Sequence, residues 1–157
     1  MPIQIRDLPD TPQLSVHWVR PTPASWYELN AGLLETLRRL VRPTPASWHE
    51  LNAVDLSANC SNKARGVYLI WRGEESLSQA VVIYVGQGNI RERLSEHRRD
   101  PEIQKHGSIS TLFVTWAEVS NDNLDGVEEF LAQIYRPRVG QHYGSVPHIT
   151  VNWPFYY

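Results

Sequence analysis

The sequence predicts an α+β fold: a small three-stranded antiparallel sheet flanked by helices and preceded by a helical arm. Three observations predict it. Apolar runs rich in β-branched and aromatic residues occur at 67–71, 80–85 and 111–117. Segments of helical character, 89–99 and 124–135, follow the second and third runs. Ahead of them, the segment from Val19 to Ala31 recurs from Val41 to Ala53, with only Tyr27 and His49 differing.

Residues 1–18 hold three prolines and little periodicity, and read as an extended arm. In the duplicated segment, Thr22 and Thr44 can cap helices, with Pro23 and Pro45 at the first helical position, where a missing N–H costs nothing. Ser25 and Glu28, like Ser47 and Glu50, fit a capping box one turn later. Helices are expected near 23–40 and 45–56. The repeat is either a binding element for DNA or a protein partner, or a scaffold whose Trp26 and Trp48 pack onto the rest. Two copies are too few for a solenoid. The division expected is a helical extension, 1–64, and a second domain, 65–157.

Val67 to Trp71 and Ala80 to Val85 read as two strands of a hairpin, whose polar loop is too long for a two-residue turn. A helix from Asn89 to Arg99 follows directly, bounded by Pro101. Thr111 to Ala117 is a third strand. Leu124 to Tyr135 is a further helix, with Asn123 or Asp125 as cap and Pro137 just past its end.

A length of 157 residues suffices for one domain with a real core and an extension. The net charge of −2 gives no overall basic signature, so nucleic-acid binding must come from local patches. Arg91, Arg93, His97, Arg98, Arg99, Lys105 and His106 form one cluster; Arg136, Arg138, His142 and His148 form another. Either can also be a solvated face. Cys60 is the only cysteine, which excludes an intrachain disulfide and a cysteine-based zinc site. No apolar run is long enough to cross a membrane and no leader is evident, so the expected compartment is cytoplasmic.

Several residue types could carry chemistry. Tyr68 and Tyr84 fall on neighbouring strands and can share a face. A phenol is a poor base near neutral pH unless a guanidinium or a cation favours the phenolate. Both can equally be half-buried strand residues. Arg93 and His97 lie one helical turn apart and project together, with Glu92 and Glu96 expected on a neighbouring face. Arginine suits phosphate oxygens. Glu128 and Glu129 offer carboxylates to a hydrated magnesium ion, or simply sit well in a helix's first turns.

Gly66-Val67-Tyr68, then Tyr84-Val85-Gly86 running into Gln87-Gly88-Asn89-Ile90-Arg91-Glu92-Arg93-Leu94-Ser95-Glu96-His97, resembles the GIY-YIG nuclease family. The resemblance covers about Gly66 to Asn152. It implies a GIY-YIG-like α/β sandwich and a one-metal DNA endonuclease using Mg²⁺ or Mn²⁺. In that reading Tyr68, with Tyr84 as alternate, activates water. Arg93 binds the scissile phosphate, His97 assists proton transfer and Glu128 holds the metal. Gly86, Gln87, Arg91, Arg98 and Arg99 would line the nucleic-acid path. The family's asparagine falls at Gly140 here, and Asn152 is the expected replacement. The spacing from Tyr68 to Tyr84 is longer than usual in the family. Double- or single-stranded DNA is the expected partner, with a homodimer or a protein bound through the repeat also open. The alternatives are an inactive binding module on the same scaffold and a toxin or defence nuclease under a partner's control.

Overall fold

The computed structural model describes residues 12–19, 49–60, 62–73, 80–140, 144, 146–152 and 154. Its core is an antiparallel sheet of three long strands and two short ones. They are β1 (Trp18–Val19), β2 (His49–Glu50), β3 (Arg65–Arg72), β4 (Val81–Asn89) and β5 (Leu112–Glu118). The order is β1-β5-β3-β4, and β2 also pairs with β5. The three expected strands are all present, but the sheet is larger than three. β1 and β2 contribute two residues each, too few to show a period-2 pattern in the sequence.

β3 and β5 are buried along nearly their whole length. This follows from helices on both faces, which turn a strand into a near-continuous apolar run. Val67, Leu69 and Trp71 face one side and pack with Val85, Phe113 and α4 (Leu124–Tyr135), through Leu124, Val127, Phe130 and Leu131. Tyr68 and Ile70 face the other, with Val114 and Trp116 of β5. That side is covered by α1 (Leu56–Asn59), α2 (Ile90–His97) and α3 (Pro101–Gln104). A 3₁₀ turn, Lys105–Ser108, continues α3, and another, Asn121–Asn123, leads into α4.

The expected helix at 89–99 forms as α2, capped by Asn89, whose side chain accepts from the Glu92 N–H at 3.1 Å. Gly88 precedes it with φ of 123°, a conformation that side chains rarely adopt. α4 matches its expected span, Leu124–Tyr135. The expected helix at 23–40 and the start of the second lie outside the described residues. The end of the second is corrected: His49 and Glu50 form β2, opposite Val114 and Phe113, because β5 offers them a ladder of hydrogen bonds. The described parts of the N-terminal region are built into the fold. Leu51, Val54 and Leu56 are buried in the Tyr68-side core, and Trp18 lies in the other.

No helix among the described residues is long and apolar enough to cross a membrane.

Candidate functional site

β4 is an outer strand of the sheet, and its N-terminal part is partly covered. The N–H groups of Arg138 and Val139 donate to the carbonyls of Val82 and Ile83, at 3.3 and 2.9 Å. Further along β4, the register places Tyr84 opposite Ile70 and Gly86 opposite Tyr68. Residues paired this way share a face. A register shift between Ile70 and Trp71 leaves Ile83 as the extra residue of a bulge just before Tyr84.

Gly86 is required by what surrounds it. A Cβ there would lie 2.6 Å from Tyr68 Cζ and 2.6 Å from Tyr84 Cε1. The missing side chain lets the two phenol rings stack with centroids 6.1 Å apart and interplanar angle 18°. His97, at the last turn of α2, leans into the same group. Its ring centroid is 4.5 Å from that of Tyr84 and 5.6 Å from that of Tyr68. Its Nε2 lies 2.7 Å from Tyr68 Oη.

Burial assigns the protons. Tyr68 is 1% exposed and His97 7%. Burial raises the Tyr68 phenol pKa far above its ordinary value; Tyr84 and Glu128 add to this, and Arg93 opposes it. Burial likewise lowers the pKa of His97, with Asp100 pulling it back up. The pair is therefore a neutral phenol and a neutral imidazole near pH 7. Asp100 stands 4.0 Å from His97 Nδ1, which favours the proton on that nitrogen. Tyr68 O–H then donates to His97 Nε2. Loss of solvent outweighs the guanidinium at Tyr68. Tyr84 is less buried, so it is the phenol nearer solvent. Its pKa is also raised, by burial first and then Glu128, while Arg93 pulls it down.

Arg93 projects from α2 on the His97 side. It is more engaged than its spacing implied, because Nη1 pairs with Glu96 Oε2 at 3.0 Å. Both partners are exposed, so the pair is weak and a phosphate can replace the carboxylate. Glu128 approaches from α4. Gln87 Nε2 donates to Glu128 Oε2 at 2.9 Å and to Asp125 Oδ1 at 2.5 Å. Asp125, one turn before Glu128, is a neighbour that the sequence marks only as a candidate helix cap. Its spacing to Glu128 was the available signal.

The other expected residues divide. Asn152 is not brought to this group. Its Oδ1 accepts from the Val16 N–H at 2.6 Å and its Nδ2 donates to the Val16 carbonyl at 2.9 Å. Val16 lies beside β1, at the far side of the sheet order from β4. The Asn152 amide fastens the segment before β1 to the segment after α4. Arg98 is also a fastener. Nε donates to the Leu51 carbonyl at 2.7 Å, and Nη2 donates to that of Val54. Arg91 donates to the Asn62 side chain. Arg99 is exposed just beyond α2.

Two carboxylate oxygens converging on one amide form a hard-donor set of the kind Mg²⁺ or Mn²⁺ accepts, through one or two carboxylates with waters completing the shell. Glu128, with Asp125 beside it, would hold such an ion. Among the described residues no group of three or more histidine, cysteine, aspartate or glutamate side chains gathers.

Comparison of the chain with protein-family models, with curated proteins and with solved structures returned no match.

Proposed function

We propose that the protein is a metal-dependent DNA endonuclease of GIY-YIG type, hydrolysing a phosphodiester at the β4 edge. The observation that carries this reading is the Tyr84–Tyr68–His97 group, with the charges of Arg93 and Glu128 acting on both phenols. Those residue types meet the demands of hydrolysis: a proton acceptor, a cation for the phosphate and a carboxylate for a metal.

The chemistry is written from the less buried phenol inward. A water attacks phosphorus, forming a P–O bond as the bond to the leaving oxygen breaks. The water's proton passes to Tyr84 Oη as Tyr84 gives its own to Tyr68, and Tyr68 gives its own to His97 Nε2. The imidazolium so formed faces Asp100 across 4.0 Å. The protein thus ends one proton richer at His97, and that proton can return to the leaving oxygen through the same chain or through solvent. Arg93 exchanges Glu96 for a phosphate oxygen. A divalent cation held by Glu128, with Asp125 beside it, would supply charge neutralisation for the reaction.

The test is plasmid DNA incubated with Mg²⁺, with Mn²⁺ and with EDTA. Nicked or linear product that disappears in EDTA and in Glu128→Gln is expected. Intact plasmid in every metal, with DNA still bound, replaces the hydrolase with a binding module on the same scaffold.

A further inference from the structure

A second cationic centre lies on the same face of the sheet as the two phenols. Tyr68, Ile70 and Arg72 alternate along β3, so Arg72 projects on the Tyr68 side, about 13 Å further along the strand. Its register partners are Val81 in β4 and Leu112 in β5. Arg72 Nε and Nη1 are buried and have no hydrogen-bond partner among the described residues. A guanidinium left this way costs free energy that an anion would recover.

Two other segments bring basic side chains to this end of the sheet. The 3₁₀ turn Lys105–Ser108 packs against Leu112, with the Gly107 Cβ position 3.4 Å from a Leu112 methyl. Arg138 is held beside β4 by its N–H bond to the Val82 carbonyl, at 3.3 Å. The imidazole of His106 is kept below its ordinary pKa by partial burial first, then by the positive charges of Lys105, Arg72 and Arg138. Glu102 opposes them and is paired with Lys105. The cluster is therefore cationic, with one arginine fork lacking a partner.

We propose that Arg72, Arg138 and His106 bind a backbone phosphate of the same DNA strand whose phosphodiester lies at Tyr84, which is level with Ile70 and so roughly two nucleotides away along the sheet at about 3.4 Å per nucleotide. The proposal rests on the nuclease reading for the identity of its ligand. Its role would be to fix the register of the strand without reading its sequence.

The experiment is fluorescence anisotropy in EDTA, where no cleavage occurs, across a sodium chloride series. The probes are a labelled DNA single strand long enough to span both centres and one too short to do so. For the long strand, Arg72→Gln and Arg138→Gln each reduce the magnitude of the log K against log salt slope, and the double variant reduces it by about 0.7, the share of one phosphate. For the short strand bound at the phenols, the slopes of variant and wild type coincide. Slopes for the long strand equal to wild type in both variants overturn the proposal, as does failure of the wild type to bind DNA. Arg138 is exposed, so Arg138→Gln carries the test if Arg72→Gln fails to fold. A reduced slope without plasmid cleavage in Mg²⁺ would remove the hydrolase and leave this phosphate site. Cleavage with an unaltered slope would do the reverse.

Discussion

Replacing Gly86 by alanine tests the central packing most directly. A Cβ at Gly86 would stand 2.6 Å from a carbon of each tyrosine ring, where ordinary contact begins at 3.4 Å. The rings must therefore move apart by 0.8 Å (3.4 minus 2.6) or the strand must shift. Tyr68 is enclosed on its own side by the core of Ile70, Leu94 and Trp116, which leaves it little room to retreat. Overpacking of this kind costs about 1–3 kcal/mol. For a chain of this size each kcal/mol corresponds to about 2–4 °C in Tm. Catalysis should fall further, because a misplacement near 1 Å can cost about 100-fold in rate. Thermal unfolding followed by circular dichroism and a single-turnover nicking assay measure the two effects. The double variant Gly86→Ala/Tyr68→Phe adds a check. Removing the Tyr68 hydroxyl, the atom nearest the new Cβ, should relieve part of the strain, so the pair is less destabilised than the sum of its parts. Wild-type stability and rate in Gly86→Ala would refute the argument that this glycine creates the aromatic group. Strict additivity would refute the assignment of the clash to the Tyr68 hydroxyl.

Other expected outcomes follow from the same contacts. His97 has a pKa lowered by burial, so the unfolded chain binds its proton more readily, and His97's contribution to stability is present above about pH 6.5 and lost as pH falls through the folded pKa. Urea titrations between pH 5 and 8 (roughly the range over which histidine titrates) should show a shallower acid loss in His97→Gln than in wild type. Part of the slope persists there, since His49 and His106 shift in the same direction. The cleavage rate should rise through the lowered His97 pKa and level off above it, because only the neutral imidazole accepts a proton. Arg98→Ala should cost about 2 kcal/mol in chemical denaturation, since two backbone carbonyls lose a charged donor. Asn152→Ala should cost roughly 1–2 kcal/mol through the loss of its two bonds to Val16, with the effect read in the urea midpoint.

The long strands and both long helices were legible because each carries its own periodicity or cap. α2 announces itself by Asn89 and Pro101, and α4 by its apolar spacing and by Pro137. β1 and β2 were not legible. A two-residue strand exists only because β5 provides an edge, and that edge is a property of the assembled sheet. The Asn152 expectation failed for a related reason. An amide gives no sign in sequence of whether it will meet a substrate or a backbone. Here the approach of Val16 decides it, and the structure uses the amide to join residues 136 positions apart.

At the candidate site, the residue types were legible and their electrostatics were not. Spacing placed Arg93 and His97 on one side of α2, and strand pairing placed Tyr68 beside Tyr84. Which tyrosine meets solvent depends on the depth of each ring beneath α2, and sequence does not report depth. That depth sets the protonation of the pair. A phenol enclosed by Leu94, Ile70 and Trp116 gains less from the Arg93 charge than it loses in hydration, so its proton stays in place until an acceptor at hydrogen-bond distance takes it. His97 is that acceptor, and the same burial keeps it neutral and available. In the proposed reaction, the helix that supplies the phosphate-binding cation therefore also supplies the base. A one-residue slip of α2 against β3 would separate the imidazole from the phenol while moving Arg93 off the sheet edge. Neither function can be adjusted without the other, and this gives Leu94, buried between the two residues in sequence, a role in holding both.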